Sequence, residues 1–209
     1  MKDKTGVILA GVAAFSSGTA AAAEMVDELI ANLKNKDDKV RGPAWQGAAP
    51  LGAPAVKPVA AVMADPDFET ARCAKRALWK IVRHAGRPGA AKEAAAVEKE
   101  LAPLLADGPA AVRREALWML SEIGGDDSVA PMAALLSNPE LREDARCALL
   151  RIPGKKSTAA LKKAFADAPE EFKYALADSL RLRGEKVAGY PSKKLTPVKQ
   201  TTVGAPKSG

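Results

Sequence analysis

The chain repeats a two-helix pattern every thirty residues or so, and no other feature constrains its fold as much. A small or apolar residue followed by a cation recurs at Val40-Arg41, Ala71-Arg72, Val112-Arg113, Ala145-Arg146 and Phe172-Lys173, with spacings of 31, 41, 33 and 27 residues. Each pair opens a helix that stops at a glycine: Gly52, Gly86, Gly124, Gly154 or Gly184. A shorter apolar helix precedes each one, at about 25–33, 55–63, 92–105, 129–136 and 158–165. The turn inside each unit is rich in Asp, Asn and Pro: Asp37-Asp38, Asp65-Pro66-Asp67, Asp107-Gly108-Pro109, Asn138-Pro139 and Asp167-Ala168-Pro169. Asp or Asn there can cap the coming helix, and proline fits its first turn because no N–H is needed. Glycine after the second helix permits the left-handed conformation that ends it. The long spacing is an insertion, Arg87-Pro88-Gly89 followed by an alanine-rich stretch at 90–97.

A two-helix unit cannot bury its apolar face alone, and stacked units bury it against each other. The expected fold is therefore an all-α solenoid of about five helix–turn–helix units, without strands. Composition agrees: hydrophobic residues reach 47% while aromatics are only 4%, and strong helix formers dominate. The repeat units look like HEAT repeats, specifically the short kind of phycobilin lyase-like HEAT proteins. A Val-Arg pair, small residues three and seven places on, and a closing Leu/Ile-Gly carry the resemblance over about 24–184. It implies a right-handed α-solenoid that binds other macromolecules. Pro43 and Pro50 in the first of the second helices, and Pro153 ending the fourth, depart from the regular pattern.

The ends differ from this body. Lys2 and Lys4, the apolar run from Gly6 to Phe15, and Ala20-Ala21-Ala22-Ala23 before Glu24 have the form of a cleavable export signal. Residues 1–23 are thus expected to be a signal peptide and 24–184 the repeat domain. The mature protein is then expected in the periplasm or cell envelope, or in the cytoplasm if the N-terminus is no signal. Residues 185–209 carry five lysines against Glu185, with Pro191, Pro197 and Pro206, and are expected to be a disordered basic tail. Residues 1–23 hold two lysines against Asp3, so the body keeps only +2 of the total net charge of +7. That balance weakly opposes non-specific nucleic-acid binding over the whole surface.

Residues that would carry chemistry are sparse. His84 is the sole histidine, and Cys73 and Cys147 are too far apart to complete a zinc site. If they occupy equivalent positions two repeats apart they lie ~20 Å from each other, so two free thiols are expected. HEAT-repeat hydroxylases hold iron with several histidines, which this chain lacks. No phosphate loop, GxSxG or HExxH occurs. Gly124-Gly125-Asp126-Asp127 reads as a helix stop followed by a cap. No catalytic residue, cofactor or metal is expected.

The second helix of the second unit is the informative one. At ~100° per residue, Ala77, Leu78 and Ile81 share an apolar face. Arg72, Arg76, Lys80, Arg83 and Arg87 form a basic stripe opposite, bordered by Trp79. Trp118 follows Ala-Leu in the third unit as Trp79 does in the second, whereas Trp45 sits one place out of register. Second helices usually line the concave face of such solenoids, so Arg72, Arg76, Trp79, Lys80, Arg83 and Trp118 are candidate partner-binding residues. The plain alternative is that the indoles pack between repeats and the cations are a solvated face. The leading functional expectation is a monomeric, non-catalytic scaffold for another protein. The alternatives are a nucleic-acid protein similar to HEAT-like alkylpurine DNA glycosylases, or a phycobilin lyase-like protein.

Overall fold

A computed structural model describes residues 20–193. Among the described residues ten α-helices follow one another: α1 (described from residue 20 to 33), α2 (Asp38–Gln46), α3 (Val56–Val62), α4 (Phe68–Ala85), α5 (Ala91–Leu101), α6 (Ala110–Ile123), α7 (Asp126–Ala134), α8 (Arg142–Arg151), α9 (Lys155–Asp167) and α10 (Glu170–Leu182). No strand occurs among the described residues. The helices form five units, α1/α2 to α9/α10. Second helices pack in succession, α2 on α4, α4 on α6, α6 on α8 and α8 on α10. On the other side α3 packs on α5 and α7 on α9, which makes the stack an α-solenoid.

One core runs the length of the stack, from Val26, Leu29 and Leu33 in α1 to Phe172, Leu176 and Leu180 in α10. Alanines line it at the seams, including Ala74, Ala77, Ala116, Ala145, Ala148 and Ala177, all buried. A methyl side chain lets helix axes approach closely without a void, so a core of alanine and leucine suits helix-on-helix packing. The expected apolar face of α4, Ala77, Leu78 and Ile81, is buried, as are Ala116, Leu117 and Leu120 in α6, while Ile123 is only half-buried at the end of that helix.

Prolines set the irregularities. The helix opened at Val40-Arg41 does not run on to Leu51. It stops at Gln46, and the chain continues as two 3-10 turns, Ala49–Leu51 and Ala53–Ala55. Pro50 and Pro54 sit in those turns, and neither has the N–H that an α-helix needs there. Pro103 likewise tightens the end of the third unit's first helix into a 3-10 turn, Ala102–Leu105.

The turns meet expectation only in part. Asp37 and Asp67 cap α2 and α4, accepting the N–H groups of Lys39 and Thr70. Asp107 and Asp167 do not cap: Pro109 and Pro169 occupy the N-cap positions themselves. Among the closing glycines, Gly52 (φ 59°), Gly154 (φ 107°) and Gly184 (φ 82°) have positive φ. Gly86 and Gly124 are not, and there the constraint is space. A Cβ on Gly86 would meet Ile123 Cγ2 at 2.8 Å, and one on Gly124 would meet the Leu120 carbonyl at 2.5 Å.

Asp126 does not cap α7 either. Glu98, reaching from α5, accepts the Gly125 N–H at 2.7 Å and the Ser128 hydroxyl at 2.6 Å. A carboxylate at a helix N-terminus also meets the favourable end of the helix dipole.

Residues 185–193 lie within the expected tail but are placed against the last unit. Arg181 donates to the carbonyls of Gly189 and Tyr190, both at 2.7 Å, and Ser192 donates to Asp178 at 2.6 Å. The Tyr190 ring meets Phe165 and Tyr174 edge-on, with centroids 5.2 and 5.3 Å apart. Folded structure therefore extends past Gly184. The expected signal peptide at 1–23 lies outside the described residues except for 20–23, which are helical and continuous with α1.

Candidate second-helix interface

The exposed side of α4 is set by its helical phase. With Thr70, Cys73, Ala74, Ala77, Leu78, Ile81, Val82 and Ala85 buried, Arg72, Arg76, Lys80 and Arg83 must face out, and all four are exposed. The structure does not leave them as one uniform stripe. Arg72 pairs with Glu69 in its own helix and lies over the Phe68 ring, 5.9 Å from its centroid. Arg83 lies over the Trp79 ring at 4.9 Å, with Glu122 of α6 3.8 Å away. Arg87 turns aside to Glu93 of α5, making two bonds of 2.7 Å. That pairing raises the Arg87 pKa and lowers that of Glu93, chiefly through their shared hydrogen bonds.

Trp79 and Trp118 are both half-buried, each between the two readings that the sequence left open. Their indole N–H groups cross the seam to the next unit. Trp79 donates to Glu115 of α6 at 2.9 Å, and Trp118 donates to Asp144 of α8 at 3.0 Å. A cation from the indole's own unit shares each carboxylate. Lys75 reaches Glu115 at 2.8 Å, and Arg114 reaches Asp144 at 2.9 Å. The Asp144 bond, with Glu140 nearby, raises the Arg114 pKa. The indoles thus tie neighbouring layers together along one edge and leave part of each ring open to solvent.

Sequence reasoning undervalued Trp45. Its one-place offset suggested no role in a row of indoles, yet its half-buried ring lies beneath Arg76 at 5.3 Å and Lys80 at 5.9 Å. Helical phase explains the division of labour on α4. Arg76 and Lys80 lie on the edge turned toward unit one, and Lys75 and Trp79 on the edge turned toward unit three. Glu115 and Asp144 were also missed. A seam partner lies 26 to 36 residues away in sequence, and no periodicity within one helix reveals it.

Cys73 is buried and Cys147 half-buried, and both are free thiols. No cluster of three or more potential metal ligands occurs among the described residues. No helix among them is long and apolar enough to cross a membrane. Two open grooves lie on the opposite face, between successive first helices. The larger, ≈ 910 Å³, runs between α7 and α9 along Val129, Ala133, Ala160 and Ala164. The smaller, ≈ 690 Å³, runs between α5 and α7. Neither includes any of the six candidate residues.

Residues 97–181, from α5 to α10, match the family model of HEAT repeats. No curated protein matches the chain. Among solved structures, the chain is similar to a computationally designed armadillo repeat protein for modular peptide recognition. The identity is 20% over 74% of this chain and 80% of that one, with a TM-score of 0.44. It is also similar to an engineered protein, at 20% identity over 75% of this chain and 78% of that one, with a TM-score of 0.41.

Proposed function

We propose that this chain, whose third to fifth units are HEAT repeats, is a non-catalytic scaffold that docks another protein on the second helices of units two and three. The observation that carries this reading is the pair of half-buried indoles, Trp79 and Trp118, on adjacent layers beside the exposed cations of α4. Their N–H groups are already bonded to Glu115 and Asp144. A partner would therefore meet rigid ring surface and directional cations, with no polar group left to satisfy at the indoles. The nucleic-acid and lyase alternatives gain no support from the family match.

The test begins with affinity capture and mass spectrometry, then measures binding kinetics with the partner found. Trp79→Ala should raise the dissociation rate roughly tenfold or more. Trp79→Phe keeps a ring and loses the seam bond, so it should melt lower while dissociation changes less. Charge reversal at Arg83 should slow association at low salt. A Trp79→Ala protein that remains folded and releases the partner at the wild-type rate refutes the docking surface.

Export after cleavage before Glu24 belongs to the same proposal. Among the described residues the first buried core residue is Val26, and residues 20–24 are exposed or half-buried. Of the described residues, cleavage there would remove only 20–23, none of which is buried. The mass of the mature protein from cells tests this, with an intact N-terminus counting against it.

A further inference from the structure

We infer that the seam between units one and two, where Arg76 and Lys80 lie over Trp45, takes an acidic peptide segment of the partner. The inference deepens the docking surface proposed above and rests on it.

Most cations on α4 and just past its end are neutralised within the protein. Arg72 has Glu69, Lys75 has Glu115, Arg83 has Glu122 and Arg87 has Glu93. Among the described residues, Arg76 and Lys80 have no ion-pair partner, although they are exposed and one helical turn apart. Like charges four residues apart on a helix repel. Both also share one aromatic ring, with the Arg76 guanidinium 5.3 Å and the Lys80 ammonium 5.9 Å from the Trp45 centroid. The ring quadrupole holds the cations in place without cancelling their charge. A ligand that pairs with them therefore finds them already ordered, which lowers the entropic cost of binding.

Geometry narrows the ligand. Side chains at i and i+4 on a helix stand ~6 Å apart. In an extended peptide, residues on one side recur every ~6.6–7 Å. Carboxylates at alternate positions of an extended segment would thus reach both cations at once, with the guanidinium offering a two-pronged pairing. The open part of the Trp45 ring supplies apolar surface beside them.

A nucleic-acid strand fits less well. A phosphate track continuing along α4 past these two cations would meet the Arg72–Glu69 pair in one direction and the Arg83–Glu122 pair in the other, with Lys75–Glu115 at the adjoining seam, and find no further free cation in them. Two unneutralised cations flanked by closed ion pairs suit a short acidic segment better than a continuous polyanion.

The probe is a fluorescein-labelled octapeptide of alternating glutamate and threonine, followed by fluorescence anisotropy on the full chain. The reversal control is Lys92→Glu/Lys99→Glu on α5, which makes the same change in net charge at exposed residues away from the seam. The expected result is saturable binding that weakens as salt rises. Arg76→Glu/Lys80→Glu should weaken it roughly tenfold or more, with circular dichroism unchanged and the control variant still binding. A matching lysine–threonine octapeptide should not bind.

Absence of binding to wild type, or equal loss in both reversal variants, overturns the inference. So does a twelve-residue oligothymidylate that binds more tightly than the peptide and loses its affinity on Arg76→Glu/Lys80→Glu. If the peptide fails while a captured partner still leaves faster from Trp79→Ala, the docking surface stands and only its acidic chemistry falls.

Discussion

The Asp67 carboxylate accepts the Thr70 N–H at the start of α4, at 2.7 Å. That bond, then the Thr70 side chain and Arg41, hold its pKa below the ordinary carboxylate value. A carboxylate whose pKa is lowered by folding stabilises the fold above the ordinary value. It loses that contribution as the pH falls through the lowered one. Asp67→Asn should therefore flatten the acid side of the stability curve, and melting between about pH 2 and pH 6 measures it. The cysteines give a second prediction at this scale. Cys73 is 4% exposed, whereas Cys147 is half-buried with an Arg146 nitrogen 3.3 Å from its sulfur. A thiol reagent should modify Cys147 first in the folded protein, and both after denaturation without reductant. One thiol or none in the denatured chain would refute the unpaired state. The sequence foretold the free thiols, but its look-alike Ala-Arg-Cys-Ala contexts hid their difference in burial. Which flank of a helix a neighbour covers is set by packing, not by the tetrapeptide.

Among the elements, α8 is the clearest case of an end secured by another unit. The last carbonyls of a helix lack intrahelical partners. Here Arg183, just past α10, donates to the carbonyls of Leu150 at 3.0 Å, Ile152 at 2.8 Å and Gly154 at 2.7 Å. It also reaches Ser157 and Thr158 at the start of α9, both at 2.7 Å. Arg183→Ala should cost about 2 kcal/mol, the loss of charge-assisted bonds that also leaves carbonyls unpaired. A denaturant midpoint equal to wild type would show that water replaces the guanidinium without loss. The buried apolar face gives a larger effect. Leu120→Ala should cost ~2–5 kcal/mol in α6 through lost burial and a residual cavity, and unchanged melting would show the helical phase to be wrong. The phase of α4 and α6 was legible because one apolar face repeats every turn. The helper residues Glu98 and Arg183 were not. Each secures a helix end in the following or preceding unit, so its role depends on how units rotate against each other.

The whole molecule is a one-dimensional stack, and its stability should divide accordingly. The segment at 185–193 touches the last unit through Arg181, Asp178, Phe165 and Tyr174. Deleting residues 186–209 should speed hydrogen exchange in α9 and α10 while α4 and α6 keep their protection. Uniform acceleration along the chain would instead show a single cooperative block. The order of the five units was readable from the recurring cation and glycine positions, because the repeat itself dictates the stacking. The joints were not readable, and they carry a direction. At two successive seams, the earlier unit offers an indole N–H and the later one a carboxylate. The units are therefore not interchangeable bricks. A unit spliced between the second and third would have to present an acid to Trp79 on one side and a donor to Glu115 on the other. A spliced unit matched only in length and hydrophobic pattern would leave both seam groups without their partners, so the grammar for lengthening this stack is written in its polar side chains.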